Sequence, residues 1–284
     1  MIRRIAVAWT VLSVALLTAH AASIKEIKEI CECTSAECQR RLFSALSDDD
    51  AYVRTYAASC LEKQESVDSD MLNEAMNSPD ARVVALALRI YAKHGSCTEL
   101  LGRYLDHGLA AVRAQAAYAA GRLKCVQFDR KLVDMVWDRH ISVRSQVIVA
   151  LGRIGSDSTL PKVLVFLNSP HDQVAQAAIK AAVMYGDRAV EPLRRLVANG
   201  ESAELRVRAA LALGAITTPR ASAALRELLE SRDRSAVGAA LYTLKFRRDR
   251  SLIPQIREHL DDNRRFGRYG TLSELAKAAL ENQK

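Results

Sequence analysis

Turn-forming and aromatic residues are scarce in this chain, with 12 glycines, 6 prolines and 5% aromatics in 284 residues. An all-β fold needs frequent tight turns and many aromatic or β-branched side chains, so the composition argues against that class. Cysteine is missing after position 125. There is no G-x-S-x-G elbow and no H-E-x-x-H helix, so two common signatures of hydrolase chemistry are absent. Gly152 and Gly155 have no third glycine and no Lys-Ser/Thr pair beside them, and they do not make a phosphate loop.

What the chain does have is apolar residues, 49% of the total, chiefly alanine and leucine, which favour helix. Arg3 and Arg4 precede an uncharged run from Ile5, and Ala19 and Ala21 frame His20 at its end. This is the layout of a secretory signal cleaved after Ala21. The run from Ile5 to Ala22 also reaches the lower length limit for a membrane anchor, and both readings put the folded part outside the cytoplasm. The formal net charge is +8, and it falls to +6 without Arg3 and Arg4. Acidic residues are interspersed throughout, so the balance describes a mixed helical surface better than a nucleic-acid surface.

Cys31, Cys33, Cys38, Cys60, Cys97 and Cys125 are even in number, and in an exported chain that predicts disulfides. Cys97 and Cys125 lie in equivalent turns, which suggests that they pair. The other four would then tie an N-terminal cap to the first repeat. The cluster Cys31, Cys33 and Cys38 with Cys60 is also compatible with part of a zinc site.

A repeat organises the rest. Val53, Val83, Val112, Val143, Val174, Leu205 and Ala236 head similar segments at spacings of 30, 29, 31, 31, 31 and 31. Ala57, Ala87, Ala116, Val147, Ala178, Ala209 and Ala240 follow each head by four positions. Leu61, Tyr91, Ala120, Leu151, Ala182, Leu213 and Leu244 follow by eight. Offsets of 0, 4 and 8 trace one helical face, which is predicted to be buried. Small residues in the middle column let neighbouring helices approach to about 8–10 Å. Gly95, Gly155 and Gly186 fall where these helices should end in a left-handed residue. Pro161, Pro192, Ala223 and Pro254, each 31 apart, are expected to open the second helix of each pair.

The pattern V-R-x-x-A-A-x-A-L-G-x-I-G followed by x-P-x-L resembles the HEAT-repeat family, in particular its short phycobilisome-lyase-type repeats. Val143, Arg144, Ala150, Leu151, Gly152, Ile154 and Gly155 carry the match best, followed by Leu205, Arg206, Ala209, Ala210, Ala212, Leu213 and Gly214. The resemblance implies an all-α chain, an α-solenoid of about seven HEAT-like helix pairs forming an α/α superhelix with an N-terminal cap. The expected divisions are a signal segment at 1–21, a cap with the cysteine cluster at 22–46, the solenoid at 47–262 and a C-terminal capping helix at 263–284.

In such solenoids the V-R-x-x-A-A helices line the concave side. Offsets 3, 6 and 10 lie opposite the buried columns and would be exposed there. Offset 10 carries Lys63, Lys93, Arg122 and Arg153, then Met184, Ala215 and Phe246; offset 6 includes Arg89, Tyr118, Leu211 and Tyr242. Lys63, Arg89, Lys93, Tyr118, Arg122, Arg153, Met184, Leu211, Tyr242 and Phe246 are therefore the candidate partner-binding residues, cationic in the first repeats and apolar in the last. Basic residues at helix ends also serve the helix dipole, and that reading stands beside the first.

Some HEAT-like proteins are metal-dependent hydroxylases built on His-Glu pairs, and this chain has no His-Glu dipeptide. His140 and His171 precede their heads in the column that holds Asp50, Asp80 and Asp233, which predicts cap or turn roles. No catalytic residues, metal ligands or cofactor follow from the sequence. The favoured function is an exported, non-enzymatic scaffold that binds a protein or peptide with an acidic segment. The alternatives are an enzyme or enzyme subunit of the lyase-like group, and a basic groove for an anionic polymer.

Overall fold

The computed structural model describes residues 24–284, and the expected signal segment lies outside the described residues. The described chain is a helical repeat solenoid that divides into two compact units at Leu123–Lys124. The first contains α1 (24–30), α2 (Ala36–Ser44), α3 (Ala51–Lys63), α4 (Ser69–Met76), α5 (Ala81–His94), α6 (Glu99–Leu105) and α7 (Ala110–Arg122). Helices α3, α5 and α7 pack in series, α4 lies on α5, and α6 lies on α7. Ile27 and Ile30 of α1 are buried, and Ile24 is half-buried, as a capping element requires.

The second unit contains α8 (Asp129–Met135), α9 (Ile141–Ile154), α10 (Leu160–Leu164), α11 (Asp172–Met184), α12 (Asp187–Asn199), α13 (Ala203–Ala215), α14 (Pro219–Leu229), α15 (Arg234–Leu244), α16 (Ile253–Arg257) and α17 (Leu272–Asn282). Helices α9, α11, α13, α15 and α17 pack in series, while α8, α10, α12, α14 and α16 each lie on the helix that follows. Helix α17 opens with a capping box between Thr271 and Glu274.

All three predicted columns are buried, from Val53 at 1% exposure to Leu244 at 0%. Asp50, Asp80 and Asp233 cap α3, α5 and α15 through their carboxylates, whereas His140 and His171 occupy the same N-cap position without a side-chain bond. The arginine after the head residue also has a structural task. Arg54 donates to Asp48 O and Asp49 O at 2.7 and 2.8 Å, and Arg113 donates to His107 O and Gly108 O at 2.8 and 2.9 Å. Arg206 donates to Gly200 O at 2.7 Å and pairs with Asp233. Each satisfies carbonyls left open in the preceding turn.

Several local expectations are corrected. Gly155 and Gly186 adopt φ of +74° and +59°, but Gly95 ends α5 in an extended conformation at φ −90°. The Tyr91 ring, anchored by its hydroxyl on Ser96 O at 2.8 Å, fills the space where a Cβ on Gly95 would stand. Pro161 and Pro254 lie in the first turns of α10 and α16 as expected. Pro192 instead lies inside α12, which already begins at Asp187, and Ala223 lies inside α14, which begins at Pro219. Both helices start earlier because Gly186 and Thr218 supply the entry, the latter capping Ala221 N through its hydroxyl. Offset 3 is not a free face in the late repeats, since Ala177 and Ala239 are buried at 5% and 0% exposure.

Candidate partner-binding surface

In the first unit, the helix ends carry the cations but also hold them. Lys93 Nζ donates to Glu62 O and Gln64 O, each at 2.8 Å, and so satisfies carbonyls at the C-terminus of α3. Arg89 pairs with Glu62 at 2.5 Å and donates to Ser59 Oγ at 3.0 Å. Both residues knit α5 to α3 while their outer edges face solvent. Lys63 and Arg122 are exposed, and Tyr118 is half-buried. His94 reaches Leu61 O at 3.3 Å, and burial, followed by the charge of Lys93, lowers its pKa.

In the second unit the offset-10 column begins with Arg153 and then presents the apolar side chains of Met184, Ala215 and Phe246. Met184 is 44% exposed and Phe246 is 66% exposed, Leu211 and Tyr242 are half-buried, and Arg153 is also half-buried. Tyr242 meets Phe246 edge-on at 5.7 Å and Tyr269 at 5.1 Å, and Tyr269 stacks on Phe266 at 5.2 Å. Lys245 Nζ stands 4.9 Å from the Tyr242 ring centre. Arg268 lies over Tyr269 and pairs with Glu204, which also accepts from the Tyr269 hydroxyl at 3.1 Å. The Tyr269 pKa is raised, with burial as the chief cause.

Sequence periodicity singled out Tyr242 and Phe246, whereas Lys245 and Tyr269, which join their ring cluster, stand in none of its columns. Arg268 and Tyr269 belong to the loop between α16 and α17, which falls outside the repeat, so no register position marks them. The only local signal was the arginine-rich run Arg264, Arg265 and Arg268.

Among the described residues, no group of three or more His, Cys, Asp or Glu side chains is placed to hold a metal ion. The cysteines of the N-terminal cluster are in disulfides, Cys31 with Cys60 and Cys33 with Cys38, and Cys97 and Cys125 are also disulfide-bonded. Only the first of these ties the cap to α3; Cys33–Cys38 closes a local loop. Ser35 caps α2 and turns the chain so that Cys38 returns to within 5.9 Å of Cys33, Cα to Cα.

Comparison with known proteins bears on the repeats. Residues 130–206 match the model for HEAT repeats, and residues 205–231 match the PBS lyase HEAT-like repeat. The chain carries HEAT repeats. The matched HEAT segments lie in the second unit, where the spacing is a constant 31 residues. A crystal structure of the Escherichia coli protein YibA is similar at 18% identity and a TM-score of 0.52, with 92% of this chain and 96% of that one covered. That likeness supports the HEAT-type fold alone. Human deoxyhypusine hydroxylase in complex with glycerol, at 17% identity with 92% and 89% covered, has a TM-score of 0.35. The CpcE–CpcF complex of phycocyanin lyase from Nostoc sp. PCC7120, at 19% identity with 87% and 88% covered, also scores 0.35. No curated protein matches. Among the described residues, no helix is long and apolar enough to cross a membrane.

Proposed function

We propose that this HEAT-repeat chain is an exported, non-catalytic scaffold whose first-helix surface docks a protein or peptide segment. The observation that carries the reading is Phe246, 66% exposed beside Tyr242 with Lys245 Nζ over both rings. An exposed aromatic held in place by other rings is the kind of anchor that supplies binding energy, and a neighbouring ammonium favours an acidic group beside it. Met184 and Leu211 extend the apolar part of the surface. Lys63, Lys93 and Arg122 are exposed cations of the first unit, which also carries Arg89 and Tyr118, and Arg153 is the cation of the same column in the second unit. Export rests on Arg3, Arg4, the apolar run and the small residues before Ala22, together with the use of cysteines in disulfides.

The test is capture of partners from the exported fraction by crosslinking, with the wild type and a Phe246→Ala variant compared by mass spectrometry. A partner lost from the variant, with faster dissociation measured on the purified pair, supports the reading. Equal capture by both proteins at low salt overturns it. Removal of the first residues in material recovered from the exporting cell, read by N-terminal sequencing, tests the export step separately.

A further inference from the structure

Two shallow grooves in the second unit lie on the side of α10 and α12 and are unrelated to the aromatic cluster around Tyr242. One, of about 650 Å³, is lined by Leu164, Val165, Pro192 and Leu196 among others. The other, of about 380 Å³, is lined by Trp137, Arg144, Phe166 and His171 among others. Val165 and Asn168 line both, so the two grooves are continuous. Trp137 is 70% exposed, with its ring 5.1 Å from that of Phe166, and Val165 is 63% exposed. Large apolar side chains so open to water, one beside the other, mark a contact surface rather than a solvated helix face.

The charge at this surface is set by one exception to the repeat. Arg54, Arg113 and Arg206 each satisfy carbonyls of the preceding turn, but the side chain of Arg144, in the same register position, makes no hydrogen bond or ion pair among the described residues. Its Nε is buried and without an acceptor, and the residue lines the groove beside Trp137. A guanidinium in that condition calls for a carboxylate, which it can bind with two parallel N–H donors. The other arginine in the lining, Arg195, is already held by Glu191 at 2.8 Å. Further along, Asn168 and Asn199 stand 31 residues apart with side-chain amides that make no hydrogen bond among the described residues. A primary amide offers both a donor and an acceptor, which suits the main chain of an extended peptide.

We propose that this groove is a second docking surface, for an extended peptide segment that places a carboxylate on Arg144 and apolar side chains against Trp137 and Val165. The proposal does not depend on the first-helix surface.

The chain has two tryptophans, Trp9 and Trp137, so Trp9→Phe in the full chain makes Trp137 the sole indole reporter. This protein is used to select binders from a random linear peptide library displayed on phage. Enriched peptides should combine Asp or Glu with apolar residues, shift Trp137 emission to the blue and quench its exposure to iodide. Replacing the peptide's carboxylate by the amide, or Arg144→Gln in the protein, should weaken binding tenfold or more. Val165→Asp should also abolish it; that position is exposed, so folding is not at issue, and melting curves verify each variant. Phe246→Ala should leave binding unchanged. Enriched peptides without acids, binders indifferent to Arg144→Gln and to loss of their own carboxylate, or no enrichment would overturn the proposal. An emission shift produced only by anionic phospholipid vesicles, or only by raising the protein concentration, would overturn it in favour of a membrane surface or a second copy of the chain.

Discussion

Arg247 and Asp249 form a buried ion pair, Nη2 to Oδ2 at 3.0 Å, with side chains only 8% and 11% exposed. Arg247 Nη1 also donates to Ile216 O at 2.5 Å, and Asp249 accepts from Ser222 Oγ at 2.5 Å. Gln283 Oε1 accepts from Asp249 N at 2.7 Å. The pair therefore joins the end of α15 to the turn after α13, to α14 and to the C-terminal residues. Removing one member of a buried pair leaves the other charge uncompensated, at a cost of about 3–5 kcal/mol. Asp249→Asn should lower the stability of the second unit by that amount, as measured by chemical denaturation.

The same carboxylate should make the fold acid-sensitive. Burial raises the Asp249 pKa, but bonds from Ser222, Ser251 and Arg247 outweigh it and the folded value is lowered. Glu191 is lowered to about 2 by hydrogen bonds from Arg194 and Arg195. For a depressed carboxylate the stabilisation is present above its unfolded pKa and is lost as pH falls through the folded value. Stability should thus fall from about pH 4.5 towards pH 2. Glu191→Gln and Asp249→Asn should each reduce the slope in melting curves recorded across that range.

Gly152 sets the distance between α9 and α11. A Cβ there would stand 2.6 Å from Ala181 Cα, which is backbone and cannot rotate away. Gly152→Ala should force the two helices apart and cost about 1–3 kcal/mol. Gly108→Ala, where a Cβ meets nothing within 4 Å, is the matched control and should cost much less by the same denaturation assay.

Ala178 is fully buried on α11. Ala178→Arg would overpack a close helix contact and bury an unpartnered charge, for a loss of several kcal/mol. Calorimetry should show a melting temperature far below wild type.

The Cys31–Cys60 bridge closes a separation of 29 residues and joins the cap to α3. The chain-entropy model assigns such a loop roughly 3–4 kcal/mol. Cys31→Ser with Cys60→Ser should destabilise the first unit and speed hydrogen exchange over 24–44. Thiol titration of the unreduced wild-type protein should find no free cysteine.

The burial register was legible because it repeats. Seven heads with fixed offsets over-determine which helical face is apolar, and every residue in those columns is buried. Pro192 was misplaced because a proline column predicts a helix start only when nothing upstream starts it earlier, and Gly186 does so at φ +59°. The cation column is a pattern of sequence, and spacing could not tell a solvated lysine from Lys93, whose acceptors are main-chain oxygens 29 to 31 residues away. Reversing Lys93 would therefore disturb α3, not only a surface.

By itself, the sequence determined the helical class, the repeat length, the buried columns and the caps at Asp50, Asp80 and Asp233, because each depends on local spacing and on side chains bonding to their own backbone. Tertiary structure alone decided which identical motif arginines are satisfied. Arg54, Arg113 and Arg206 find turn carbonyls and Arg144 does not. It also decided that Tyr269 from outside the repeat would complete the ring cluster on Tyr242, and that Trp137 would stand open beside Val165. Those outcomes depend on how turns of unequal geometry meet across repeats, and the spacing of residues along one helix carries no record of that.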